Sequence, residues 1–110
     1  MTDTLQLETI EQLDSFAGQP GKRILFKHST ICPISTSAYE QFQSFMGEQS
    51  DIPAAVVLVR EARPVSNEIA DRYGIKHESP QIFLLEDGAV KWHTSHWKIT
   101  KDAIAQAVKG

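Results

Sequence analysis

Apolar residues along this chain switch repeatedly between helical and strand-like spacing, and a glycine, proline or cap residue marks each switch. Thr9 followed by Gln12 has the form of a capping box. Ile10, Leu13 and Phe16 then recur at helical spacing until Gly18, which predicts a helix over 9–17. Beyond the turn "GQPG", the β-rich run "RILFKH" predicts a strand over 23–28. Pro33 suits the first position of a helix, where its missing N–H has no partner to lose. From there Ile34, Tyr39, Phe42, Phe45 and Met46 form an apolar face that ends at Gly47. The unbroken run "AAVVLV" (54–59) reads as a strand covered on both faces, so strand, helix and strand imply a right-handed crossover. Pro64 opens a third helix, with Ile69 and Tyr73 toward the core and Gly74 at its end. "QIFLL" (81–85) and "AVKWH" (89–93) flank Asp87-Gly88, a strong signal for an antiparallel hairpin. Thr100 caps a last helix running to about Val108, with Ile99 and Ile104 in the positions of a hydrophobic staple.

The predicted order is αβαβαββα in a single domain over 1–110, without internal repeats or linkers. That order resembles thioredoxin-like proteins. The resemblance implies an α/β fold with a four-stranded mixed sheet flanked by helices, in which the strand at 81–85 lies antiparallel beside that at 23–28. A match of fold leaves function open.

Composition narrows the classes of partner. With 41% hydrophobic and 23% charged residues the chain is ordinary for a globular protein. A formal charge of −3 and the lack of any Lys/Arg cluster argue against nucleic acid. The longest unbroken apolar run, Ala54 to Val59, is far short of the ~20 residues that span a bilayer, so no membrane partner is expected. The opening residues lack a cationic region followed by an apolar one, and the expected location is cytoplasmic. Lys22 completes "GQPGK", which lacks the spacing and hydroxyl residue of a phosphate loop and reads as a turn.

The chemistry concentrates on Cys32, the only cysteine, in "STICPIS". A single cysteine forms no intramolecular disulfide, so any disulfide it makes is with another molecule. Buried packing is the usual fate of a lone cysteine. Here, however, Cys32 falls at the start of the long helix, where negative charge is favoured and the N–H groups of Ile34 and Ser35 are expected to reach the sulfur. A thiolate stabilised in that way also leaves faster from a disulfide. Ser35 stands where a C-x-x-C dithiol has its second cysteine. A hydroxyl can hydrogen-bond a thiolate but cannot displace a partner captured on Cys32, so a mixed disulfide must wait for an outside thiol.

If 81–85 pairs antiparallel with 23–28, the segment "HESP" (77–80) comes near Cys32. Thioredoxin-like proteins place a cis-proline at that point, and Pro80 matches it. The resemblance therefore implies that the backbone of Ser79 is free to pair with an extended substrate. Lys27 and His28 precede the cysteine and are candidates to attract an anionic substrate, solvated surface charge being the plainer reading. His28, His77, His93 and His96 lack the spacing of a metal site, and none is expected. Trp92 and Trp97 read as packing.

The segments "FKHSTICPIS" and "HESPQIFLLEDGAVKWHTSHWKIT" resemble those of the monothiol bacilliredoxins. The most specific parts are Cys32-Pro33-Ile34-Ser35 and Ser95-His96-Trp97. The family commonly has threonine directly before the cysteine; this chain has Ile31, with Thr30 one place earlier. The resemblance implies a thiol-disulfide oxidoreductase that removes bacillithiol from S-bacillithiolated proteins through a Cys32–bacillithiol mixed disulfide. It casts Cys32 as the catalytic nucleophile, with Pro33, Ile34 and Ser35 supporting the thiolate. Lys27, His28, Thr30, Lys76, His77, Ser79 and Pro80 become candidate substrate contacts, and Lys27, Lys76 or His77 candidates to meet the carboxylates of bacillithiol's malate moiety. Bacillithiol is then a co-substrate, with no tightly bound cofactor. Two other readings stay open: an iron–sulfur carrier resembling monothiol glutaredoxins, whose C-G-F-S differs here at Pro33 and Ile34, and a non-catalytic thioredoxin-like protein-binding module.

Overall fold

A computed structural model describes residues 4–48 and 51–110. The elements are β1 (Leu5–Gln6), α1 (Ile10–Ala17), β2 (Lys22–His28), α2 (Pro33–Glu48), β3 (Ala54–Leu58), α3 (Arg63–Tyr73), β4 (Gln81–Glu86), β5 (Ala89–Ser95), a 3-10 turn (His96–Lys98) and α4 (Lys101–Lys109). The sheet order is β1-β3-β2-β4-β5. β3 runs parallel to both β1 and β2, whereas β4 is antiparallel to β2 and β5.

Local chemistry accounts for most of the boundaries. Thr9 caps α1 as a full capping box: its hydroxyl accepts the Gln12 N–H at 3.1 Å while the Gln12 side chain accepts the Thr9 N–H at 3.2 Å. Gly74 ends α3 with φ 64°, a left-handed conformation that costs glycine nothing. Asp87 and Gly88 both have positive φ, the form a two-residue hairpin turn requires.

The sheet has five strands rather than the expected four. The extra one, β1, is an edge strand two residues long, set by Leu5 opposite Ala55 and Gln6 opposite Val56 and extended by the Leu7 N–H bonding to Val56 O at 2.9 Å. Two residues are too few to show a period, so only pairing with β3 reveals the strand. The hairpin strand β5 also runs to Ser95, beyond the predicted 93.

The sheet separates two apolar cores. Leu25, Val57 and Phe83 face Leu13 and Phe16 of α1 and Val65 and Ile69 of α3. Ile24, Phe26, Ile82 and Leu84 face Ala38, Phe42 and Phe45 of α2 and Ile104 of α4. Successive residues of β2 therefore enter opposite cores, which is why its centre, Ile24-Leu25-Phe26, is apolar without alternation. Each fully buried Ile, Leu or Phe contributes on the order of 1.5–3 kcal/mol by leaving water. The same alternation sends Lys27 to the α1/α3 side and His28 to the α2 side. No helix among the described residues is long and apolar enough to cross a membrane.

Candidate functional site around Cys32

Cys32 lies in the turn between β2 and α2, immediately before Pro33, the first helical residue. Its C=O accepts the Thr36 N–H at 3.0 Å, the first bond of the helix, and its own N–H reaches Ser29 O at 3.3 Å. The thiol is free and the residue partly exposed, between an Ile31 that is 68% exposed and an exposed Pro33. Proline at this position keeps the helix start and subtracts only an N–H that no carbonyl of the helix would accept.

The sulfur's surroundings differ from expectation. Among the described residues no hydrogen bond reaches the Cys32 sulfur, so the anticipated bonds from the Ile34 and Ser35 N–H groups are not formed. What supports a thiolate is its place at the helix N-terminus. The Ser35 hydroxyl is likewise not a partner of the thiol. It is fully buried, accepts the Ser29 N–H at 2.9 Å and lies 2.7 Å from His28 Nδ1. After accepting the Ser29 N–H the Ser35 hydroxyl still has a proton to give and a second lone pair, so its bond to His28 Nδ1 forms with either group as donor. Ser35 thus pins both ends of the turn that carries Cys32.

His28 and Lys27, both expected to present charge to substrate, are buried instead. His28 is 8% exposed and stacks on Tyr39 at 4.6 Å and 16°. Burial lowers its pKa, partly offset by the charge of Glu61. Lys27 has no exposed surface; its ammonium lies 3.2 Å from His77 Nδ1 and 5.9 Å from the centre of the Phe83 ring. Burial pulls the Lys27 pKa down to about 8. The physical reason is the position of β2 in the middle of the sheet, where both faces are covered. His77 also has a lowered pKa, from burial first and then the charges of Lys27 and Arg63, with Glu78 opposing. Lys27 with His77 therefore ties the loop after α3 to the sheet, rather than offering a cation to solvent. Thr30 and Lys76 are exposed.

The opposite wall comes from the segment before β4. The Ser79–Pro80 peptide is cis. Lys27 pairs with Gln81, so the antiparallel register carries Pro80 to a place opposite His28, at the end of β2 from which the Cys32 turn leaves. Pro80 O accepts the His96 N–H at 3.1 Å. His96 has φ 54°, and its Nε2 lies 3.5 Å from a Glu78 carboxylate oxygen. The Ser79 hydroxyl is buried without a partner among the described residues. Trp92 packs partly buried on the α2/α4 core, but Trp97, also expected to pack, is 68% exposed. Residue chemistry gave His96 and Trp97 no role in the sequence; the only signal was the Ser-His-Trp run itself.

Residues 5–104 match the family described as monothiol bacilliredoxin BrxC. The chain belongs to the monothiol bacilliredoxin family. The solved structures agree on the fold. One, described as having a thioredoxin fold, is 35% identical, with a TM-score of 0.89 over 94% of this chain and 92% of that one. A cysteine-to-serine mutant of an Entamoeba histolytica thioredoxin gives 22% identity and a TM-score of 0.75 over 97% and 98% of the two chains. Oxidised mitochondrial thioredoxin 3 of Saccharomyces cerevisiae gives 15% and 0.76 over 96% and 93%. The chain is thus a thioredoxin-fold member of a bacilliredoxin family, and its single cysteine is consistent with monothiol chemistry.

Proposed function

We propose that this chain is a thiol-disulfide oxidoreductase that removes bacillithiol from S-bacillithiolated proteins, with Cys32 as nucleophile. The observation that carries the reading is a partly exposed lone cysteine at the start of α2, in a chain of the bacilliredoxin family. The Cys32 thiolate attacks the bacillithiol sulfur of the mixed disulfide. A new S–S bond forms there, the old one breaks, and its electron pair leaves on the protein sulfur, which takes a proton from solvent. A second bacillithiol thiolate then attacks the bacillithiol sulfur held on Cys32, giving bacillithiol disulfide and regenerating the Cys32 thiolate. Ser35 has no sulfur with which to perform that step internally. The start of α2 is where negative charge is favoured as the Cys32 sulfur leaves in the second step.

In this reading Pro33 and Ile34 shape the helix start, Ser35 and His28 hold the turn, and Lys27 holds the neighbouring loop through His77. Thr30, Lys76 and the Ser79–Pro80 backbone remain substrate contacts. A cytoplasmic location suits a cysteine that must stay reduced between turnovers.

The test is release of protein thiol from a bacillithiolated protein in the presence of free bacillithiol. Wild type is expected to release it and Cys32→Ala to release none above the uncatalysed rate. Equal release by both proteins contradicts the assignment. A purified protein that carries iron but releases no thiol instead favours the cluster-carrier reading.

A further inference from the structure

We propose that the concavity formed by β5 and the following 3-10 turn seats the dicarboxylate arm of the bacillithiol being transferred to Cys32, with Lys98 as the cation for its carboxylates and Trp97 as the apolar wall for the adjoining carbon skeleton. The inference rests on the reading of Cys32 as the acceptor of bacillithiol, and adds where the rest of that small thiol sits.

The concavity measures about 480 Å³ and is lined by His93, Thr94, Ser95, His96, Trp97 and Lys98. That volume is in the range of small-molecule sites. One contact joins it to the segment opposite Cys32: the His96 N–H bonds to Pro80 O at 3.1 Å. A left-handed His96 is uncommon for a residue with a Cβ and makes the sharp change of direction out of β5 that leaves the indole projecting.

Trp97 leaves 68% of its surface in water. Covering an indole is favourable at roughly 25 cal/mol per Å² of apolar area, so the C–H surface of a ligand laid on it gains affinity, while its carboxylates stay off the electronegative ring face. Charge points the same way. No carboxylate of the described residues pairs with the Lys98 ammonium, and the Glu78 carboxylate faces His96. Thr94 and Ser95, whose side chains lie on opposite faces of β5, line the concavity with polar rather than charged groups. A dicarboxylate there meets an unpaired cation and neutral polar groups, the combination that gives charge-assisted hydrogen bonds. Lys27 offers no such access, being buried against His77.

The test uses one substrate protein carrying either bacillithiol or 2-mercaptoethanol on the same cysteine, so that contacts to the polypeptide cancel. Lys98→Glu and Trp97→Ala are each expected to lower kcat/KM for the bacillithiol adduct about tenfold, the scale of one lost charge-assisted contact, and to change the 2-mercaptoethanol adduct less than about twofold. Equal losses on both adducts assign the rim to the polypeptide and overturn the proposal. No loss on either overturns it as well. If wild-type Cys32 accepts no bacillithiol, the catalytic reading fails separately. Titration of Cys32→Ser with reduced bacillithiol then decides the site alone: a shift of the Trp97 indole N–H resonance supports it, and an unmoved resonance overturns it.

Discussion

Lys27 and His28 are neighbours in sequence, and both look like cations waiting for an anionic substrate, yet the structure sends them to opposite faces of β2 and into different chemistry. His28 meets a partner of matched polarity: the Ser35 hydroxyl both donates and accepts, so it satisfies the ring Nδ1 in either tautomer. Lys27 meets an apolar core with an imidazole at its edge, which accepts one hydrogen bond but supplies no negative charge. The first is a satisfied polar link, the second a buried charge that is incompletely compensated. Burial of polar groups near a site thus serves either to fix geometry or to hold a charge at a cost in stability, and only the partners tell which.

The largest effect expected away from the thiol itself is at Lys27. Its folded pKa of about 8 lies below the ordinary 10.5, so the unfolded chain binds the proton more tightly between these values. Stability linked to Lys27 therefore rises as pH climbs from 8 to 10.5, and the cost of the buried charge is fully present below pH 8. Lys27→Met fills the same space without charge. Urea unfolding at pH 7 is expected to show a gain of about 1 to 3 kcal/mol, shrinking toward zero by about pH 10.5. A loss of stability at pH 7 breaks the contrast with His28.

Next in size is the Ser35–His28 link. Ser35→Ala leaves a buried imidazole nitrogen and the Ser29 N–H without a partner, at a cost of about 1–3 kcal/mol in unfolding free energy. His28→Phe keeps an aromatic ring against Tyr39 and removes the ring nitrogen that bonds Ser35. The two substitutions are expected to be non-additive in a double-mutant cycle, with a coupling of at least about 0.5 kcal/mol. Additive losses contradict a direct bond. Both variants are also expected to slow iodoacetamide alkylation of Cys32, whereas Phe45→Leu, in the same core but away from the turn, leaves the rate unchanged.

A smaller effect sharpens the comparison through pH. His28 and His77 both have folded pKa values below the ordinary 6.5. The stability they contribute is present above pH 6.5 and is lost as pH falls from there through the folded values, because the unfolded chain protonates first. His28→Phe is expected to flatten part of the decline expected below about pH 6.5 in thermal unfolding of wild type. An unchanged slope places the acid sensitivity elsewhere.

Much of the fold was legible because its signals are local. The Thr9–Gln12 box, Pro33 at a helix start, Gly74 at a helix end and the Asp87-Gly88 turn each act within a few residues, and each stands where the sequence places it. β1 was not legible, since two residues carry no period and its partner is some fifty residues away. The position of Cys32 before a helix was readable from Pro33. The inward turn of Ser35 was not, because the competition between sulfur and imidazole for one hydroxyl is settled by tertiary packing. Burial of Lys27 was masked by its charge: a lysine beside a histidine at the end of a strand reads as solvated surface charge, not as a cation inside a core. Exposure of Trp97 was hidden in the same way by its size.

The most direct measurement is a single-turnover mass experiment. Reduced wild-type protein is mixed with one equivalent of a bacillithiolated protein, with no free thiol present, and both intact masses are followed with time. The account predicts that the bacillithiol mass moves from the substrate to Cys32 in equal amounts and stays there until bacillithiol is added. Transfer that leaves Cys32 unmodified, or an adduct that disappears without an added thiol, contradicts it.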